Sequence, residues 1–452
     1  MVKFRYLMLA CVAFTACRKD PLYCPGAPKD NCNLLDGSVN TEPSGCTGDP
    51  GCAAPTPVCE LAAGTCVQCT AAEPGACTGT SPVCGSDNAC HGCAAHTDCA
   101  DSHACLPDGS CAAAADVAYV APGGSGAACT ATAPCGTLDA GLTTARPYVK
   151  IATGLVKDNK TTVIDGQAVT ILADPGAKLD RDGDGAVLEV ESANATVQIY
   201  DLEITGASGA AGADGVQLTP NGGTPSLTLT RVTIDGNQGL GIETTGGSLT
   251  LTRSTIANNT GGGLTTTGGS LTLTRSTIAD NAGGGLSLSA TQFTIENNFI
   301  ASNGSGSSGL GGVKLDGITT SGTHQLDFNT ITANLGPATV NTGINCGTVT
   351  VPLVFSNNIV YANLVAGGGK QLGGSVNCTA TYSDVGPDTT AGTGNVNSDP
   401  LFVDVNAANY HITSSSPAKD SADSAATLDI DFDGDSRPQG PARDMGADEV
   451  TP

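Results

Sequence analysis

Three sets of residues in this 452-residue chain have types and spacing that could do chemistry. The first is cysteine, present 20 times. Twelve form a repeat: Cys46, Cys52, Cys59, Cys66; Cys69, Cys77, Cys84, Cys90; Cys93, Cys99, Cys105, Cys111. Each module has four cysteines, and successive modules start 23 and 24 residues apart. Cys66-Val67-Gln68-Cys69 and Cys90-His91-Gly92-Cys93 have zinc-like spacing. Each is simply the last cysteine of one module followed by the first of the next. Modules this short cannot bury a core, so cross-links must hold them. Four cysteines allow three connectivities, and sequence does not choose among them. Cys24 with Cys32, and Cys129 with Cys135, read as further local pairs.

The second set is acidic. Asp180, Asp182, Asp184, Gly185 and Glu191 fit a twelve-residue calcium loop. The strand-like Val187-Leu188-Glu189-Val190 would misplace its later ligands. Asp429, Asp431 and Asp433 before Gly434 fit the first half of the same pattern, but Gly440 takes the place of the last ligand. Calcium is therefore an optional ion, and no cofactor is required. The third set is Arg231, Arg253 and Arg275, spaced 22 apart. Stacked, they would form a ladder of like charges that could anchor an acidic glycan or acidic partner groups. The plainer reading is repeat duplication with solvated side chains.

The elements that must position these residues begin with an address. Lys3 and Arg5 precede an apolar run from Tyr6 to Ala16, the layout of a secretory signal. Phe14-Thr15-Ala16-Cys17 resembles a bacterial lipobox, with Phe14 where Leu is usual. The resemblance implies lipidation of Cys17, and Arg18 after it implies the outer membrane. Cleavage removes Cys11 and lipidation consumes Cys17, which leaves 18 cysteines in an oxidising compartment. The partner implied first is thus a membrane, through a lipid anchor. Nucleic acid is excluded by 19 Lys+Arg against 43 Asp+Glu, a net charge of −24.

A repeat of 22 residues fills the middle: SLTLTRVTIDGN, SLTLTRSTIANN, SLTLTRSTIADN, then QFTIENNFIASN. Apolar and polar residues alternate within each copy, which is strand periodicity with one buried face. Gly-rich corners and about three short strands per unit describe one coil of a parallel β-helix. Asn237, Asn259, Asn281, Asn303, Asn334 and Asn363 end the copies and can stack as an amide ladder.

On these residues the chain resembles the right-handed parallel β-helix of the pectin-lyase-like superfamily. Its Gly-Gly-x-Leu and Ile-x-x-Asn patterns also look like the repeats of chlamydial polymorphic outer-membrane proteins. Residues 128–142 resemble the N-terminal cap of such helices. Ser398-Asp399-Pro400-Leu401-Phe402, Tyr410-His411-Ile412, Asp431-Phe432-Asp433-Gly434-Asp435 and Asp444-Met445-Gly446-Ala447-Asp448-Glu449 resemble the C-terminal pattern of bacterial surface proteins of the choice-of-anchor Q type. Lys419 departs from that pattern, which usually has an apolar residue there. Read so, this tail closes the last coil. Cys346 and Cys378 would pair if they stack on neighbouring coils.

The expected organisation is all-β. A signal peptide spans 1–17, a Cys-rich stalk 18–116, an N-terminal cap 117–150, β-helix coils 151–380 and a C-terminal cap 381–452. Asp214, Asp235, Glu243, Asp280, Glu296, Asp316 and Asp327 are dispersed over the coils, with Asp235 and Asp280 read into one corner column. His324, the one histidine there, reads as a packed or edge residue. No catalytic residue is assigned. The expected role is display, adhesion or scaffolding at the cell surface, with glycan or protein bound along a coil face. The alternatives are a polysaccharide lyase or glycoside hydrolase, and a purely structural envelope component. The absence of Trp and the 4 % aromatic content weigh against the enzyme.

Overall fold

The computed structural model describes residues 46–181, 183–192, 194–209, 212–305, 310–320, 322–337, 342–365, 371–388 and 391–451. Cys17, Cys24, Cys32 and Asp182 lie outside the described residues. Of the described residues, 46–78 with Val83–His91 form one compact unit, and Gly79–Pro82 with Gly92 onward form the other. In the first unit, Cys46 pairs with Cys59, Cys52 with Cys66, Cys69 with Cys84, and Cys77 with Cys90. In the second, Cys93 pairs with Cys105 and Cys99 with Cys111. Every module thus joins its first cysteine to its third and its second to its fourth.

The stalk does not end at residue 116. The third module belongs to the second unit, because it has an apolar surface to rest on. Ala104 and Ala112 share a buried cluster with Val117, Tyr119 and Leu172, and the Tyr119 hydroxyl donates to the Ser102 carbonyl at 2.7 Å.

From Val117 onward the chain winds into a parallel β-solenoid of about nine turns, with sheets of eleven, ten and nine strands. One coil shows the plan. Ser248–Thr252 lies in the eleven-stranded sheet, Thr255–Ala257 in the ten-stranded and Gly262–Thr267 in the nine-stranded. The 22-residue copies stack in perfect register. Leu227, Leu249 and Leu271 pair along one column, and Ile234, Ile256 and Ile278 along another. All six are at most 1 % exposed. The region 117–150 is more than a cap: Val117–Val120 pairs with Tyr148–Ile151 as the first strand of the eleven-stranded sheet. The short helix Leu138–Leu142 covers the opening with Leu138 and Leu142, and its first amides donate to the buried carboxylate of Asp158.

Two buried side-chain ladders run through the corners on either side of the short strand. In the first, Asn237, Asn259, Asn281, Asn303 and Asn334 each donate from Nδ2 to Oδ1 of the next, at 2.7–2.9 Å, ending on Asn363. Each Oδ1 also accepts the backbone N–H of the preceding rung, as Asn281 does from Asn259. The second ladder is Ser254, Ser276, Asn298, Asn329, Asn358 and Ser383. These contacts supply the corner amides with partners that a sheet cannot give.

Cys346 and Cys378 lie on successive turns but in different sheets, the nine-stranded and the eleven-stranded, and their disulfide bridges the two near the last turn. Beyond Gly386, residues 393–396 hydrogen-bond the last strands, with Val396 paired to Asp384 and Asn395 Nδ2 donating to the Ala380 carbonyl.

The rest of the expected C-terminal cap does something else. It turns back along the flank of the coils. The Phe432 carbonyl accepts from Arg275 Nε, the Ile430 carbonyl from Asn297 Nδ2, and Thr330 Oγ1 from the Ala447 amide. The physical cause is a change in outward-facing residues. Thr255 and Thr277 of the ten-stranded sheet give way to Phe299 and, further on, Ile359 in the same column. The adjoining corner brings Phe328. Tyr410, Ile412, Met445 and Ala447 bury these side chains. Inside this flanking pad, Arg437 and Glu449 pair at 3.2 Å with both side chains fully buried, and Arg437 lies 4.9 Å over the Phe328 ring.

Asp384 opens the last strand of the ten-stranded sheet, fully buried. Neither of its oxygens finds a well-aligned partner among the described residues. Burial pushes its pKa up to about 7, with nearby Asp399 adding to the rise and the Ser398 backbone offsetting part of it.

Two outcomes follow. Asn281→Ala would remove the acceptor of the Asn259 amide and of Asn259 Nδ2, and the Nδ2 donor to the Ile256 carbonyl and Asn303 Oδ1. It should cost about 3 kcal/mol or more in chemical denaturation, against less than about 1 kcal/mol for the outward-facing Thr250→Ala. The folded-state pKa of Asp384 is raised, so its contribution to stability is intact below pH 4 and is lost as pH rises towards 7. Asp384→Asn should therefore leave stability unchanged near pH 4 and raise it at pH 8 by up to about 4 kcal/mol.

Candidate binding surface

The corner that follows the eleven-stranded sheet is built alike in eight successive coils. Asp201, Arg231, Arg253, Arg275, Asn297, Phe328, Asn357 and Tyr382 occupy it, all in the left-handed region with φ between 46° and 62°. L-residues visit this region at some cost. Here the backbone is held by bonds to the next coil, such as Arg253 N to the Thr274 carbonyl at 3.1 Å. The result is a column of side chains along one edge of the solenoid.

The three arginines do not act as one ladder. Arg231 is bidentate to Asp201, Nε to Oδ1 at 2.5 Å and Nη2 to Oδ2 at 2.7 Å. Arg253 is exposed, and its side chain makes no hydrogen bond or ion pair among the described residues. Arg275 is only 8 % exposed, because the C-terminal pad closes over it. Its Nε donates to the Phe432 carbonyl at 2.9 Å, yet no carboxylate of the described residues comes within 4.0 Å of its guanidinium. Burial and the neighbouring Arg253 both lower its pKa, while Asp431 and Asp433 counteract from further off. Gly434 makes the approach possible: its φ is 99°, and a Cβ there would meet Arg275 Nη2 at 2.4 Å. Arg253, Arg275, Thr255, Thr277, Phe432 and Asp433 line a recess of about 450 Å³.

Neither calcium reading assembles. Asp180 lies in Ala177–Arg181 of the ten-stranded sheet and pairs with Lys157 at 3.2 Å. Glu191 ends Leu188–Glu191 of the nine-stranded sheet, and Asp184 lies in the connection between them. The first and last ligands of the motif are thus sent to different sheets. In the tail, Asp431 accepts the amides of Gly434 and Asp435 on one oxygen and that of Glu449 on the other. Asp429 pairs with Arg443 at 3.3 Å and Asp433 with His411 at 3.0 Å. Each carboxylate has its own protein partner, so the run is a turn within the pad.

Asp235 and Asp280 do not share a column. Asp235 aligns with Ala257 and Ala279, and Asp280 falls one residue later, in the corner. The sheet does bring two other carboxylates together. Glu296 and Asp327 are direct neighbours on adjacent strands of the eleven-stranded sheet, on its outer face. Gln325 Nε2 donates to both, at 2.6 Å and 3.1 Å. Burial raises both pKa values, and the charge of Asp327 raises that of Glu296 further. His324 packs with its ring tilted against Phe293, centroids 5.2 Å apart, and faces the Thr320 carbonyl, away from that pair's hydrogen bonds.

Comparison with known proteins agrees with this architecture. A family model described as right handed beta helix region matches residues 186–348. A second, a family of unknown function (DUF8331), matches residues 11–117. No curated protein matches. Among solved structures, the crystal structure of pectate lyase Pel9A superposes with a TM-score of 0.57 at 17 % identity, covering 74 % of this chain and 96 % of that one. At that identity the likeness is one of fold. The solenoid is therefore a parallel β-helix that shares its fold with that pectate lyase, and a disulfide-rich region precedes it.

Proposed function

We propose that this chain is an exported, lipid-anchored surface protein that binds acidic groups of a glycan or partner protein along its coil edge, without converting them. The observation that carries the reading is Arg275. A buried guanidinium with no carboxylate at ion-pair distance is costly, and a second unpaired guanidinium stands on the adjacent coil. The chain has 43 acidic residues to choose from, yet an anion from outside suits this recess best. Arg231, already neutralised by Asp201, contributes little to such a site.

The test is a panel of sulfated and uronate-containing oligosaccharides. The double variant Arg253→Gln/Arg275→Gln should bind at least about tenfold more weakly, as loss of charge-assisted hydrogen bonds implies, while Arg231→Gln stays within about twofold. Undiminished binding by the double variant overturns the reading. The address is tested separately: mass spectrometry should find acyl chains on Cys17, and Cys17→Ala should release the protein from membranes.

A second reading, a glycoside hydrolase or lyase, is favoured by the Glu296–Asp327 pair. Adjacent strands lie about 4.8 Å apart, close to the spacing of paired carboxylates in retaining hydrolases. If this reading holds, polysaccharide screens will show turnover that Glu296→Gln and Asp327→Asn each reduce by about a hundredfold or more. Turnover that survives both substitutions removes the pair from consideration.

A further inference from the structure

A larger cleft lies elsewhere, wholly within the second compact unit. The third disulfide module stands against the outer face of the first coils and leaves a space of about 930 Å³. His96 and Leu106 line it from the module, and Leu172, Tyr200, Asp201 and Arg231 from the coils. This volume lies within the range of small-molecule sites.

We infer that this cleft binds a short uncharged saccharide. The wall mixes apolar side chains such as Leu106 and Leu172 with charged groups that are electrically balanced. Arg231 is held by Asp201, and the buried ammonium of Lys150 is held by Asp174, which also lines the cleft. Burial and nearby Lys150 lower the pKa of His96, which favours its neutral form. No cation is left over to select an anion, and no carboxylate to select a cation. A purely apolar guest would strand the paired charges without water. Hydroxyl groups suit them: carboxylate oxygens accept further hydrogen bonds, and Arg231 keeps Nη1 after giving Nε and Nη2 to Asp201. Tyr200 supplies an aromatic surface to the cleft. Its hydroxyl is turned aside onto Gln198 at 2.9 Å.

The cleft is also preorganised. The module is closed by Cys93–Cys105 and Cys99–Cys111. His96 Nδ1 accepts the Cys105 amide at 3.1 Å, and Tyr119 ties Ser102 to the first strand. A wall fixed before binding loses little freedom when a ligand enters. The site is distinct from the Arg253–Arg275 recess and selects the opposite kind of sugar.

The experiment uses the full chain and calorimetry against cellobiose, maltose, lactose, xylobiose and chitobiose, with trigalacturonate as the acidic comparator. At least one neutral disaccharide should bind, Tyr200→Phe should keep that binding, and Tyr200→Ala should weaken it at least about tenfold, in line with loss of a stacked ring. Because Tyr200 also packs against Leu172, Ala95→Trp provides a second variant that narrows the mouth without removing a core contact. It should abolish binding at unchanged thermal stability. The pair Arg253→Gln/Arg275→Gln should leave neutral-sugar binding intact even where it removes trigalacturonate binding. The inference is overturned if no neutral disaccharide binds at millimolar concentration, or if Ala95→Trp binds as the wild type does.

Discussion

The structure rests on the requirement that every buried corner amide find a partner. A strand satisfies its backbone through its neighbours, but the chain between strands must turn with its polar groups inside. The Asn237–Asn363 ladder and the Ser254–Ser383 ladder meet that need on either side of the short strand. They also fix the register. A coil that slipped by one residue would lose its rungs and turn its leucine column towards water. The left-handed corner follows from the same constraint, and that corner sets Arg231, Arg253 and Arg275 along one edge. The candidate recess is thus a by-product of how the backbone is satisfied.

Much of this was legible in the sequence, and the reason is repetition. Identical side chains at a fixed interval report their own stacking, so the leucine columns, the asparagine ladder and the coil length can be read directly. The second ladder was missed, although it has a signal: Ser254, Ser276, Asn298, Asn329 and Asn358 each stand five residues before an asparagine of the first. It was obscured because its rungs change between Ser and Asn. The tail was misplaced for a different reason. Motifs near a C-terminus suggest an end cap, but the deciding residues are far upstream. Phe299, Phe328 and Ile359 interrupt an outward row of small polar residues and need a cover.

The candidate residues were legible as types and not as partners. Periodicity placed the three arginines in one column, but Asp201 belongs to a coil too diverged to show that it neutralises the first. Nothing local tells that Phe432, 157 residues on, buries the third. The Glu296–Asp327 pair crosses a coil longer than 22 residues, so a fixed period does not align it. In the calcium patterns a strand or a turn engages the described carboxylates, which spacing alone does not reveal.

The pad and the third disulfide module have fixed footings: one reaches back to Arg275, the other reaches forward to Arg231. Between them lie near-identical coils whose seams are interchangeable, because each offers the same ladder rung and the same leucines to the next. Gain or loss of one 22-residue copy by unequal recombination would need no new interface. It would alter one quantity, the length of uncovered edge. Each inserted copy would add one more Arg like Arg253, free of both footings. Valency towards an extended ligand could then change in whole-number steps, with the fold, the ends and the individual contact all left as they are.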